Sequence, residues 1–182
     1  MQIQDHKIII RDVEIYYQTA GDTSKPAILF MHGWGARKNN ICGKGKERVI
    51  LELTQYFYVV ALELPGLVRS APPPEAWNAE EYARFVHAFL ASLNLRPAFI
   101  MGQSFGGGIA STYASLYPEY TPRLILVDAS QKVNNYKRRW TPSSLHSHHS
   151  SSERDSGMGK IWGSELMASN TGHIRANEAY ML

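Results

Sequence analysis

The chain has 182 residues, of which 44% are hydrophobic and 19% are charged, and its formal net charge is +3. This length suits one domain, and the composition can build a buried core. Basic residues concentrate in 37–48 and 132–139, but no motif that binds a groove of DNA or RNA accompanies them. We therefore interpret both stretches as solvated loops and expect no nucleic-acid partner.

We expect neither an export signal nor a membrane-inserted segment. Its first residues, MQIQDHKIIIRD, carry charges where a signal peptide needs an apolar core. No apolar run approaches the roughly 18 residues of a membrane span. The single cysteine, Cys42, cannot form an intrachain disulfide. We therefore expect a cytoplasmic protein without a membrane span.

The first part of the chain predicts strands of two kinds. Residues 7–21 predict two short antiparallel strands, because apolar and polar residues alternate there. Residues 27–31 are continuously apolar and end at glycines, which is typical of a strand buried on both faces. A helix over 47–57 follows, and then a second buried strand over 58–66 that Pro65 and Gly66 stop.

The next elements alternate between helix and strand. Asn78 and Glu81 form a capping-box pattern that predicts the start of an amphipathic helix. Short buried strands are predicted over 97–101 and 123–130, with a helix over 105–117 between them. Such alternation requires βαβ crossovers. We therefore predict an α/β fold with a mostly parallel sheet and helices on both faces.

The character of the sequence changes after the fourth buried strand. Residues 141–152 are rich in Ser and His and have little to bury. His146, His148 and His149 lack accompanying cysteines or paired carboxylates, so we predict a mobile linker and no metal site. Residues 153–182 contain two weakly helical pieces and no run of strand-forming apolar residues, so no strand is predicted there.

A serine stands between two glycines in FIMGQSFGGGIA. Gly102, Ser104 and Gly106 match the pattern G-x-S-x-G, placed between a predicted buried strand and a predicted helix. In that context the pattern indicates a nucleophile on a sharp turn, with its hydroxyl at a helix N-terminus. The alternative is a glycine-rich turn whose serine only caps the helix.

A second glycine-containing loop follows the first buried strand. Acyl transfer places negative charge on a carbonyl oxygen, which two backbone N–H groups must stabilise. The N–H of Phe105, directly after the serine, is one candidate donor. The other is expected from residues 32–35, HGWG, where glycines allow the backbone to approach the substrate.

These motifs together resemble the N-terminal half of an α/β-hydrolase. HGWG, VVALELPGLVRS, GQSFGGGIA and YPEYTPRLILVDAS occur in that family's order, over residues 7–130. The resemblance implies a serine hydrolase that acts on a carboxylic ester or related small-molecule acyl substrate, without cofactor or metal. It implies Ser104 as nucleophile and the N–H groups of Trp34 and Phe105 as oxyanion donors. Residues 1–130 would form the N-terminal part of the hydrolase core. Residues 131–182 would form a linker and part of the cap, the lid that many relatives insert after this strand.

The sequence departs from the family pattern at three places. Glu63 stands where the family often has Asp, and Gly66-Leu67-Val68 stands where a Gly-Phe-Gly-like sequence is usual. Both departures lie in the loop after the second buried strand. Gln103 replaces a frequent His before the serine, at a position that varies widely.

The serine also needs a base and an acid, which are harder to assign. In this family the acid and then the histidine follow the serine along the chain, each after a further strand. Asp128 and Asp155 are candidate acids, and His173 is a candidate base. Two interpretations stay open: an active serine hydrolase, or a truncated or degenerate one that ends inside the cap and is inactive or only binds a ligand or partner.

Overall fold

A computed structural model describes residues 2–36, 47–129 and 178–181, the last four as backbone. Its helices are α1 (Glu47–Leu53), α2 (Ala79–Ser92) and α3 (Phe105–Leu116). The strands are β1 (Gln4–Ile10), β2 (Val13–Ala20), β3 (Ala27–Met31), β4 (Tyr58–Leu62), β5 (Phe99–Gln103), β6 (Arg123–Val127) and β7 (Glu178–Met181). They form a seven-stranded sheet in the order β1-β2-β4-β3-β5-β6-β7.

The centre of the sheet is parallel, as the sequence predicts. Strand β3 pairs in parallel with β4 on one side and with β5 on the other, and β5 pairs with β6. All five residues of β3 are buried, which explains its continuous apolar run. The fold is therefore the predicted α/β architecture, with the carboxyl ends of β3, β5 and β6 at one edge.

The first two strands form the predicted antiparallel hairpin. Arg11 and Asp12 join β1 to β2, and both have positive φ, 49° and 63°. A two-residue turn with both φ values positive matches the right-handed twist of the flanking strands. Strand β2 then pairs antiparallel with β4, so the hairpin extends one side of the parallel sheet.

Helix α2 begins at the predicted capping box. The Asn78 side chain accepts hydrogen bonds from the N–H groups of Glu80 and Glu81, at 2.9 and 3.0 Å. The Glu81 carboxylate accepts one from Asn78 N–H at 2.6 Å. The apolar face of the helix is buried as predicted, at Tyr82, Ala83, Phe85, Val86, Phe89 and Leu90.

Helices cover both faces of the sheet. On one face, α2 and α3 pack over a large core that includes Leu29, Leu62 and Ile100. On the other, Ile50 of α1 packs in a smaller core with Phe30. Among the described residues, no helix has the length and apolar character needed to cross a membrane.

The structure differs from the sequence prediction at its far edge. No strand is predicted after residue 130, yet β7 pairs in parallel with β6, from Arg123–Glu178 to Leu126–Met181. That prediction is therefore wrong for 178–181. The backbone hydrogen bonds of this short strand come from its parallel partner β6. Backbone pairing does not depend on the side chains, so the sequence EAYM shows no strand pattern. The rest of the predicted linker and partial cap lies outside the described residues, as do Cys42 and the three histidines of 141–152.

Candidate active site

Ser104 forms a sharp turn between β5 and α3. Its backbone has φ 48° and ψ −115°, a region that non-glycine residues rarely occupy and that costs about 1–3 kcal/mol. Ser104 N–H donates to Val127 C=O at 3.0 Å, and Gly108 N–H donates to Ser104 C=O at 3.1 Å. The turn is therefore fixed by β6 on one side and by the first turn of α3 on the other.

The Ser104 hydroxyl does not cap the helix. Although Ser104 is the N-cap residue of α3, its side chain makes no capping hydrogen bond. The residue is half-buried. This observation removes the support for the alternative in which the serine serves only as a helix cap.

Gly106 lets the start of α3 lie directly against the end of β3. A Cβ atom at Gly106 would overlap Met31 C=O and would lie 2.6 Å from His32 C=O. No side chain fits at such a distance. The glycine two residues after the serine is therefore required by this backbone contact.

The loop after β3 lies against the serine. A Cβ atom built on Gly33 would be 3.1 Å from Ser104 Cβ and 3.8 Å from Ser104 Oγ. The rings of Trp34 and Phe105 meet edge to face, with centroids 5.6 Å apart and planes at 89°. The structure thus brings Ser104, Trp34 and Phe105 together at the carboxyl edge of the sheet.

His32 is completely buried at the start of this loop. Its Nδ1 lies 2.8 Å from Gly33 C=O, and its Nε2 accepts a hydrogen bond from Leu64 N–H at 3.1 Å. Burial lowers the pKa of His32 below its ordinary value of 6.5, against smaller opposing effects of the Gly33 bond and of Glu63. The ring is therefore neutral near pH 7. The motif HGWG alone gives His32 no role of its own, because its partner Leu64 is distant in the chain.

A buried ion pair closes the loop after β4, where the sequence departs from the family pattern. The carboxylate of Glu63 is fully buried and accepts from Arg69 N–H at 3.0 Å. It also binds the Arg69 guanidinium through Nε and Nη2. The hydrogen bonds to Glu63 and Asp5 raise the pKa of Arg69 above its usual value. Glutamate at this position therefore fixes the loop through Arg69.

The base and acid are not identified among the described residues. Asp128 directly follows β6, is exposed and has φ 46°, so it lies at the same edge as Ser104. Of the described histidines, His6 contacts Thr19, His32 uses both ring nitrogens, and His87 stacks on Tyr117. Asp155 and His173 lie outside the described residues. Within the part of the chain that the structure describes, no group of three or more His, Cys, Asp or Glu could hold a metal ion.

Comparison with known proteins gives the family. The family model described as the alpha/beta hydrolase fold matches residues 26–162. An uncharacterized protein of Mycobacterium tuberculosis is 36% identical over 106 residues, which are 58% of this chain and 30% of that protein. A human serine hydrolase-like protein is 27% identical over 148 residues, covering 75% of this chain and 70% of that protein.

Solved structures agree with this match. A bacterial membrane phospholipase A has a TM-score of 0.64 and 32% identity, over 70% of this chain and 40% of that chain. The chain thus spans less than half of the phospholipase and of the M. tuberculosis relative. Because the family model covers most of the chain, the chain belongs to the alpha/beta hydrolase fold family.

Proposed function

We propose that this protein is a serine hydrolase that cleaves a carboxylic ester or a related acyl substrate through an acyl-enzyme on Ser104. The observation that carries the proposal is the strained backbone of Ser104, at φ 48° and ψ −115°, with a hydroxyl that makes no capping hydrogen bond. Strain of this kind concentrates at functional sites, where the surrounding structure maintains it. Here the pairing with Val127 and the Gly106 contact maintain it.

In the proposed mechanism, Ser104 Oγ attacks the carbonyl carbon of the substrate. The N–H groups of Phe105 and Trp34 stabilise the charge that develops on the carbonyl oxygen, together with the N-terminus of α3. The tetrahedral intermediate expels the protonated alcohol and leaves an acyl group on Ser104. Water then attacks this ester, releasing the acid and restoring the hydroxyl.

The mechanism requires a base that removes the Ser104 proton and an acid that orients that base. We propose Asp128 as a candidate acid, because it follows β6 directly and β6 is hydrogen-bonded to β5 beside Ser104. His173 remains the candidate base. His32 is a poor base, since both of its ring nitrogens already have backbone partners.

The apolar rings beside the serine support an uncharged acyl substrate. Trp34 is half-buried and its ring meets the ring of the buried Phe105, so Trp34 offers apolar surface next to the nucleophile. The similar solved structure of 32% identity is that of a membrane phospholipase A. We therefore propose a small-molecule ester as substrate. We also propose the cytoplasm as the location, which fits a chain with one cysteine.

The test is covalent labelling of the purified, folded protein with a fluorophosphonate probe. We expect the wild-type protein to be labelled and the Ser104→Ala variant to lose labelling. Ser92→Ala is the matched control, because Ser92 bonds Phe89 C=O at the end of α2 and has no proposed role in the reaction. Absence of labelling on folded wild-type protein would contradict the proposal.

A further inference from the structure

We infer that His32 is a positioning residue that orients the peptide between Gly33 and Trp34, so that Trp34 N–H faces the oxyanion site beside Ser104. This inference rests on the proposed function and adds a specific role for a residue outside the reacting groups.

The hydrogen bonds assign the tautomer of the ring. A backbone N–H can only donate, so the contact of 3.1 Å from Leu64 N to His32 Nε2 makes Nε2 the acceptor. In a neutral imidazole the other nitrogen then carries the proton. Nδ1–H therefore donates to Gly33 C=O at 2.8 Å.

The direction of the Gly33 carbonyl fixes the direction of the next N–H. In a trans peptide the C=O and the N–H point to opposite sides, and the described residues contain no cis peptide. Since Gly33 C=O points to the buried ring, Trp34 N–H points away from it. A Cβ on Gly33 would lie 3.8 Å from Ser104 Oγ, so this peptide is next to the nucleophile.

Leu64 N–H holds the ring in this orientation. Leu64 follows the fully buried Glu63, whose carboxylate is bound to Arg69. The ring therefore connects the loop after β3 with a loop after β4 that a buried ion pair fixes. Rotation of the ring about χ2 would break both hydrogen bonds at once, so His32 transmits the rigidity of the 63–69 loop to the Trp34 amide.

Two substitutions separate the two hydrogen bonds. His32→Asn places an amide N–H near the position of Nδ1 and loses the acceptor for Leu64. His32→Gln places an amide oxygen near Nε2 and loses the donor to Gly33. Each variant keeps one bond, so we expect both to lower the unfolding midpoint to similar extents.

Catalysis should distinguish the variants. Removal of one oxyanion donor lowers kcat by about 100-fold or more. We therefore expect kcat for p-nitrophenyl acetate to fall by about 100-fold in His32→Gln with little change in KM. We expect kcat in His32→Asn to be at least about tenfold higher than in His32→Gln. Equal kcat values in the two variants, or values that follow their stabilities, would overturn the role of His32.

A second measurement does not depend on activity. The ¹⁵N shifts of the His32 ring at neutral pH should show a protonated Nδ1 and an unprotonated Nε2. The opposite tautomer would overturn the positioning role while leaving the proposed function intact. A folded wild-type protein that shows the expected tautomer but does not react with the fluorophosphonate probe would instead overturn the proposed function, and the positioning role of His32 with it.

Discussion

At the scale of single residues, Ser104, Asp128 and Val68 are non-glycine positions near the site with positive φ, and the strain at Ser104 and at Val68 has different causes. Ser104 has φ 48° at the turn that presents its hydroxyl, whereas Val68 has φ 57° inside the loop closed by Glu63 and Arg69. The alpha/beta hydrolase family often has glycine where Val68 stands. A β-branched residue is disfavoured in this region because its Cβ substituents crowd the following carbonyl. The strain at Val68 therefore has no visible catalytic use.

Substituting Val68 by glycine should stabilise the protein. Relief of the left-handed conformation contributes about 1–2 kcal/mol, and the greater freedom of glycine in the unfolded chain removes about 0.4–1 kcal/mol of that. We expect the free energy of unfolding to rise by about 0.5–1 kcal/mol, measured by urea denaturation. Val68→Ala should lie between wild type and Val68→Gly, and a Val68→Gly variant less stable than wild type would contradict this account.

His32 should make the stability fall in acid. Its folded pKa lies below 6.5 because the ring is buried, whereas in the unfolded chain it titrates near its ordinary value. Above that pH the His32 ring is neutral in both the folded and the unfolded protein, so the free energy of unfolding is not reduced by its titration. As pH falls below it, the unfolded chain takes up a proton that the folded protein resists, so stability drops by up to about 1.4 kcal/mol per pH unit.

The measurement is urea denaturation between about pH 7.5 and 5.5 for wild type and His32→Gln. The variant has no titrating ring at this position. The slope of its free energy of unfolding against pH should therefore be smaller than that of the wild type, by the equivalent of up to about one proton. Other groups titrate equally in both proteins and cancel in the comparison. Parallel curves for the two proteins would show that His32 is not held neutral by its burial.

At the scale of elements, the unit formed by β5, the serine turn and α3 depends on close backbone packing. Gly106→Ala should displace the start of α3 from Met31 and His32, since the new Cβ meets backbone oxygens that cannot move independently. We expect a loss of about 2–3 kcal/mol in the free energy of unfolding. We also expect fluorophosphonate labelling of Ser104 to slow at least about tenfold, because a small misplacement of a reacting group is costly.

Ser115→Ala is the matched control on the same helix. Ser115 bonds Ser111 C=O one turn earlier, so its loss should cost about 1 kcal/mol or less and leave labelling unchanged. Normal labelling in a folded Gly106→Ala variant would show that the contact with β3 does not position the serine.

The elements that the sequence predicts are those whose signals are local. The capping box at Asn78 and Glu81 is three residues apart, and the serine turn lies within one pentapeptide, so both could be recognised. The tautomer of His32 depends on Leu64, which lies 32 residues away, and no spacing rule indicates it. Strand β7 depends on a partner strand far earlier in the chain, and its four residues lack an apolar run. Non-local hydrogen bonds therefore set the limit of the sequence reading here.

At the scale of the whole molecule, Arg69 connects three parts of the sheet. Its guanidinium binds the buried Glu63 after β4 and Asp5 of β1, the latter at 2.8 Å. It also lies 4.8 Å from the centre of the Tyr16 ring on β2. The N-terminal hairpin is thereby joined to the loop that carries Leu64 and, through it, to His32. We therefore expect the stability of the hairpin and the geometry of the site to be coupled through this side chain.

Removing Arg69 should therefore destabilise the protein more than removing its exposed partner. Arg69→Leu leaves the fully buried Glu63 carboxylate without its cation, for which we expect a loss of about 3–5 kcal/mol in the free energy of unfolding. Asp5→Asn should cost about 1 kcal/mol or less, because the Asp5 side chain is 54% exposed. Urea denaturation of both variants gives the comparison.

A double variant separates the lost pair from the stranded charge. Glu63→Gln combined with Arg69→Leu removes the buried charge as well as its partner, so it should recover at least about half of the stability lost in Arg69→Leu. If the double variant is as unstable as Arg69→Leu, the cost comes from the lost packing of Arg69 on Tyr16 and not from an unpaired carboxylate. Recovery would instead show that glutamate at position 63 is tolerated in the core because Arg69 reaches it from the adjoining loop.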